Sequence, residues 1–141
     1  ITRPFNYTGP GQAPQFLIPK LVDHFARKAD RIALGNLHVE REFNDVRMVC
    51  NVYLKLLTHG KGGEIYNVCS GKPYTLKHVV KTLEQITGHR MVVDMNPEFV
   101  RANEVHRLCG NPAKLKAALG SFEDWHLEET LRWMLDSANN G

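Results

Sequence analysis

Between Gln15 and about Asp30 the apolar residues Leu17, Leu21 and Phe25 recur at i and i+4, flanked by Ile18 and Val22, while Lys20, Arg27, Lys28 and Arg31 take other faces. That spacing predicts an amphipathic helix, with Pro19 in the first turn, where a missing N–H costs least. A short extended stretch, Ile32-Ala33-Leu34, ends at Gly35-Asn36, and another around Glu42-Phe43 leads into a helix from about Val46 to Leu57. Asp45 is the expected N-cap of that helix, and Val46, Val49, Cys50, Tyr53 and Leu57 its expected buried stripe. Glu64 to Cys69 is a β-branched and aromatic run that stops at Ser70-Gly71-Lys72-Pro73 and reads as a strand. Thr75 then caps a helix whose Leu76, Val79, Val80, Leu83 and Ile86 share one face, with Gly88 as its left-handed terminus. Met91 to Asp94 reads as a strand, and 96–110 as mostly loop. Asn111-Pro112 opens a helix ending at Gly120, and a last helix runs from about Leu127 to Ser137, with Glu128 and Glu129 complementing its dipole. Strands alternating with helices predict an α/β unit.

Length and composition narrow the class. The 141 residues carry 18 Lys plus Arg against 15 Asp plus Glu and are 43% apolar, enough for one domain with its own core. No apolar run approaches the roughly 20 residues of a membrane span. Cys50, Cys69 and Cys109 are odd in number and form no C-x-x-C pair, which fits a reducing compartment. The expectation is a soluble, cytoplasmic chain. A net charge of +3 suits a phosphate-bearing ligand and is too dispersed for nucleic acid. The chain opens on Ile1 where Met would stand, and Ile1 to Asn6 reads as the tail of a strand running into a turn, so it is expected to be a fragment of a longer protein.

Several chemistries lack their motifs. The seven histidines form no H-x-x-x-H or H-E-x-x-H pair, so no metal site is expected. Neither a G-x-x-x-x-G-K-[ST] loop nor a G-x-G-x-x-G turn is present, and Ser70 sits in no G-x-S-x-G elbow. What remains is a set of polar residues on loops at strand ends: Asn6, Lys20, Asn36, Arg41, Arg101 and Glu104. Ligands are usually held at such loop ends in open α/β sheets. On spacing alone each is read more readily as a solvated group or an ion-pair partner.

Four ordered motifs change that reading. Arg3-Pro4-Phe5-Asn6-Tyr7-Thr8-Gly9-Pro10-Gly11-Gln12, Leu34-Gly35-Asn36-Leu37 with Arg41-Glu42-Phe43-Asn44-Asp45-Val46-Arg47, Gly63-Glu64-Ile65-Tyr66-Asn67-Val68-Cys69-Ser70-Gly71, and Arg101-Ala102-Asn103-Glu104-Val105 span the chain. Together they resemble the C-terminal half of GDP-4-keto-6-deoxy-D-mannose reductases, extended short-chain dehydrogenases of the NAD-dependent epimerase/dehydratase group. GDP-mannose 4,6-dehydratase is the nearest competitor. The resemblance implies the truncated, substrate-binding C-terminal part of a Rossmann-type α/β fold over residues 1–141. The N-terminal cofactor domain, with its Ser and Tyr-x-x-x-Lys pair, would lie upstream, so no catalytic residue is expected in this chain.

By matched position, the resemblance implies that Asn6 bonds the sugar or diphosphate, that Lys20 and Arg41 face the diphosphate, and that Gly35-Asn36 lie along the guanine. Arg101 and Glu104 would hold the far nucleoside end, and Pro4 and Phe5 would border the nicotinamide of NADP or NAD, itself bound mainly by the upstream half. The implied partners are a GDP-sugar substrate and further copies of the chain, as a homodimer or higher oligomer, with no nucleic acid or membrane. The fragment alone would be inactive and would self-associate through exposed Phe5, Ile65 and Val68. Within the same group the alternatives are part of a dehydratase or epimerase; a non-catalytic sugar-nucleotide-binding module is the other class. Tyr7, Glu42, Met48 and Asn111 depart from the residues usual in the group: Glu42 keeps an acidic charge, Met48 removes one, and Asn111 can still cap a helix.

Overall fold

The computed structural model describes residues 1–100 and 103–140. Strands β1 (Thr2–Pro4) and β2 (Tyr7–Thr8) precede helix α1 (Leu17–Ala26). Strands β3 (Arg31–Leu34), β4 (Glu40–Arg41) and β5 (Asn44–Asp45) lead into α2 (Val46–His59). Then come β6 (Tyr66–Val68), β7 (Tyr74–Thr75), α3 (Leu76–Thr87), β8 (Val92–Met95), a 3-10 turn at Pro97–Phe99, β9 (Arg107–Leu108), α4 (Ala113–Leu119) and α5 (Leu127–Asn139). The chain is α/β, as its alternating pattern predicts.

Most pairings are parallel: Thr2 with Tyr66 in β1–β6, Tyr7 with Asn44 in β2–β5, and Arg31 with Val92 in β3–β8. Parallel neighbours need long crossovers, which here carry the helices. In the remaining sheet β4 is central, antiparallel to β7 and parallel to β9. Leu21, Phe25, Ile32, Leu34, Val79, Leu83 and Leu131, from α1, β3, α3 and α5, form the larger core. A second cluster joins Met48, Val49 and Val52 of α2 to Tyr66 and Val68 of β6 and Leu115 of α4. Met48 is a fully buried member of it, so the residue that departs from the acidic pattern works by apolar packing.

Thr75 accepts from the His78 N–H at 3.1 Å, and Gly88 ends α3 at φ 66°, as the pattern predicts. Other expectations are corrected. Helix α1 is shorter than the 15–30 span because Phe16 is extended and Lys28 turns over at φ 51°. The strand expected at Glu42-Phe43 lies at Glu40–Arg41, and β9 arises inside the 96–110 segment by pairing with β4. Helix α4 starts at Ala113, whose N–H Asn111 Oδ1 accepts at 2.9 Å.

The buried stripe of α2 is also corrected. Its core residues are Met48, Val49 and Val52, whereas Cys50 and Tyr53 are exposed and Leu57 is 83% exposed. Apolar residues nearly encircle this helix, so periodicity could not select the face that β6 and α4 cover. Val68, expected at an open face, is 0% exposed because that same cluster encloses it. Phe5 and Ile65 are half-buried. The exposed apolar side chains nearby are instead Ile1, Tyr53, Leu54 and Leu57.

Asp45 anchors α5 as well as capping α2. Its fully buried side chain accepts from the Arg47 N–H (2.8 Å), Arg47 Nε (2.9 Å) and NH2 (2.8 Å), and Thr130 Oγ1 (2.7 Å). The Arg47 guanidinium in turn lies 4.6 Å from the Trp125 ring and 4.0 Å from that of Trp133, close enough for cation–π attraction to both.

Candidate functional site

The carboxyl end of β3, the start of α1, β4 and the residues Phe99, Asn103, Glu104, Val105 and Leu108 surround a cleft of about 650 Å³. Lining it are Asn6, Lys20, Gly35, Asn36, Arg41 and Glu104, six residues separated by up to 98 positions in sequence (104 − 6). Arg101 lies outside the described residues. A second recess, of about 510 Å³, is lined by Pro4, Phe5 and Phe43, and shares Asn6, Leu17 and Arg41 with the first. Asn6 and Arg41 therefore stand at the junction of the two spaces.

Lys20 Nζ donates to the Ala33 carbonyl at 3.0 Å and sits 5.1 Å from the Phe99 ring. Arg41 NH1 donates to the carbonyls of Glu40 (2.8 Å) and His106 (3.3 Å). These partners are neutral, so they fix the two cations without cancelling their charge, and each keeps its attraction for an anion. On the same cleft Asn36 is held from both sides: Nδ2 donates to Glu104 Oε2 at 3.0 Å, and Oδ1 accepts from the His38 N–H at 2.9 Å. Gly35 is required for close approach, because a Cβ there would lie 2.8 Å from the Phe99 carbonyl oxygen. The cleft thus offers one cation, Arg41, and one amide, Asn6, next to the second recess, and adds Lys20 beside Phe99 and the Asn36–Glu104 pair.

Glu42 follows Arg41 but points into the protein, being 1% exposed. Its Oε2 accepts from the Ser70 N–H (2.9 Å), Ser70 Oγ (3.2 Å) and the Gly71 N–H (3.3 Å), and its Oε1 from the Gly110 N–H. Asn44 shares the Ser70 N–H through Oδ1 at 3.0 Å, and its Nδ2 donates to the Asn6 carbonyl at 3.0 Å. Glu42 lies just past the two-residue β4, so no alternation in the sequence marks the side it faces. Phe99, Gln15, Asn103 and Leu108 also line the cleft. Asn103 lies in the last of the four motifs, whereas no motif marks Phe99, Gln15 or Leu108, which the tertiary structure brings there.

Burial, followed by the charge of Glu42, pushes the Cys69 thiol up to about 12, and the same causes raise Cys109. Both thiols stay protonated and make poor nucleophiles. Among the described residues no group of three or more His, Cys, Asp or Glu could hold a metal ion, and no helix is long and apolar enough to cross a membrane.

Residues 1–134 match the family model described as GDP-mannose 4,6 dehydratase. The GDP-6-deoxy-D-mannose reductase of Pseudomonas aeruginosa is 34% identical over 140 residues, covering 96% of this chain and 46% of that protein. A solved structure from Burkholderia cenocepacia J2315 is 50% identical with a TM-score of 0.97, covering 99% of this chain and 46% of that one. The structure of RMD from Pseudomonas aeruginosa complexed with NADPH is 33% identical, with a TM-score of 0.90 over 99% of this chain and 47% of that one. The chain thus spans about half the length of the proteins it matches.

Proposed function

The chain belongs to the GDP-mannose 4,6 dehydratase family, and on that premise we propose that residues 1–141 are the nucleotide-sugar-binding portion of an NAD(P)H-dependent reductase. Its substrate is GDP-4-keto-6-deoxy-D-mannose and its product a GDP-deoxyhexose such as GDP-D-rhamnose. The observation that carries this reading is that Asn6 and Arg41 line both recesses. A diphosphate at that junction sends the nucleoside toward Asn36 and Glu104 and the sugar toward Pro4 and Phe5.

Arg41 and Lys20 neutralise the diphosphate and Asn6 orients it. Gly35 and Asn36 lie along the base. Glu104 accepts from ribose hydroxyls or base N–H groups, and Arg101 joins it at that end by sequence correspondence. The apolar Pro4 and Phe5 suit the edge of a nicotinamide ring, but the chain has no Gly-rich phosphate loop, so they border the dinucleotide and do not hold it. When bound, the dinucleotide supplies the hydride for the C4 carbonyl. This chain's residues hold that carbonyl in register by gripping the GDP moiety. The reductase relative favours reduction over dehydration.

Calorimetric titration with GDP tests the reading. The chain is expected to bind GDP, and Arg41→Ala to weaken binding by about 10-fold or more, since a hydrogen bond to a charged group contributes roughly 1.5–3 kcal/mol. Undiminished binding in folded Arg41→Ala would refute it. Without a proton donor and a dinucleotide loop, the chain alone is expected to turn over no 4-keto sugar when NADPH is added.

A further inference from the structure

We infer that Glu42 and Asn44 are positioning residues that set the spacing between Arg41 and Asn6, and so determine whether the site grips a diphosphate or only a nucleoside monophosphate. The inference rests on the binding roles proposed above and adds to them two buried residues that line neither recess. Glu42 receives three backbone N–H groups and one hydroxyl, from Ser70, Gly71 and Gly110. The three backbone N–H groups can only donate, and the two carboxylate oxygens supply the acceptors that they need.

The network links the two cleft residues physically. Gly110 follows β9, which pairs with β4 so that Arg41 lies opposite Leu108, and Glu42 thereby ties the strand carrying Arg41 to its neighbour. The Ser70 N–H is shared between Glu42 Oε2 and Asn44 Oδ1. Asn44 then holds the Asn6 carbonyl through both its backbone N–H, at 2.9 Å, and its side-chain amide, at 3.0 Å. Arg41 and Asn6 thus hang from one buried set of bonds, whereas Asn36 and Glu104 are held separately by each other. Loosening the set moves the diphosphate contacts and leaves the nucleoside contacts in place.

The test compares GDP with GMP, which keeps the base, ribose and one phosphate. Glu42→Gln preserves shape, but either amide orientation sets its NH2 against a donor. Asn44→Ala is milder: the Asn6 carbonyl keeps the Asn44 backbone N–H, and the Ser70 N–H keeps Glu42. Titrations are made on samples that thermal melts show to be folded. Each variant is expected to hold GMP within about 2-fold of wild type and to lose at least about 5-fold in GDP affinity, roughly 1 kcal/mol. A general loss of structure would instead weaken both nucleotides together. Equal losses, or an unchanged GDP-to-GMP ratio in folded Glu42→Gln, overturn the inference. If Glu42→Gln does not fold, Asn44→Ala decides by the same criterion, and failure of both to fold also overturns it, by making the network a requirement of the fold itself. Arg41→Ala separates the two levels. If wild type shows no preference for GDP, or Arg41→Ala retains the preference, the role assigned to Arg41 fails and this inference with it. If Arg41→Ala loses the preference while the network variants keep it, only the positioning role is lost.

Discussion

Replacing Asp45 by Asn tests whether one buried carboxylate joins α5 to the rest of the chain. The side chain is 0% exposed and accepts two guanidinium bonds, one backbone N–H and one hydroxyl. Asn keeps an acceptor for the cap at the Arg47 N–H, but its amide nitrogen, in place of Oδ2, turns donors toward both Arg47 NH2 and Thr130 Oγ1, of which only the hydroxyl can accept. Hydrogen bonds to charged groups contribute roughly 1.5–3 kcal/mol against about 1 for neutral ones, so losing the charge across two guanidinium bonds, and one bond outright, is expected to cost about 2–3 kcal/mol. Arg47 is 35% exposed, so water recovers part of its solvation and keeps the cost below the roughly 3–5 kcal/mol of a fully buried broken pair. Burial pushes the Asp45 carboxyl up, but the bonds from Arg47 and Thr130 outweigh it and hold the group below its ordinary value. A folded value below the unfolded one means that the stabilisation is complete above the unfolded value, about 3.9, and disappears as pH falls through the folded one. Urea unfolding of both proteins across pH checks this. The difference should be full near neutrality and shrink in acid. A loss under about 0.5 kcal/mol near neutrality, well short of a charged hydrogen bond, or a difference that does not change with pH would refute the reasoning.

Leu83→Ala removes a fully buried side chain of the larger core and is expected to destabilise by about 2–5 kcal/mol in the same denaturant assay. Gly35→Ala places a Cβ 2.8 Å from the Phe99 carbonyl oxygen, so the Pro97–Phe99 turn must move; GDP titration should show weaker binding, and unchanged affinity would show that the turn does not bound the site. Because Cys69 is buried with its thiol near 12 while Cys50 is exposed, a thiol-reactive disulfide reagent should label Cys50 first and reach Cys69 only on unfolding, as peptide mass mapping over time would reveal.

The elements legible in the sequence were those whose signals are local. Helix α3 has its cap at Thr75, a clean apolar face and a left-handed glycine within one segment, and Asp45 caps α2 through a bond to a residue two positions away. The resemblance of four ordered motifs likewise singled out Asn6, Lys20, Gly35, Asn36, Arg41 and Glu104, which the fold brings to one cleft. Long-range pairing decided the rest. Two-residue strands such as β4 and β9 are too short to show alternation, and they exist because the Glu40 N–H finds the His106 carbonyl at 2.7 Å. The face that α2 buries depends on where β6 and α4 land, since apolar residues surround that helix and amphipathicity does not choose among them. In the sequence Glu42 is a departure from the residues usual in the group that keeps an acidic charge, with nothing local to mark its burial. Only the approach of Ser70, Gly71 and Gly110 from distant segments makes it the buried acceptor of their N–H groups. Backbone donors removed from water must be paired, and which donors share a buried space is a property of the folded chain, not of any stretch of its sequence.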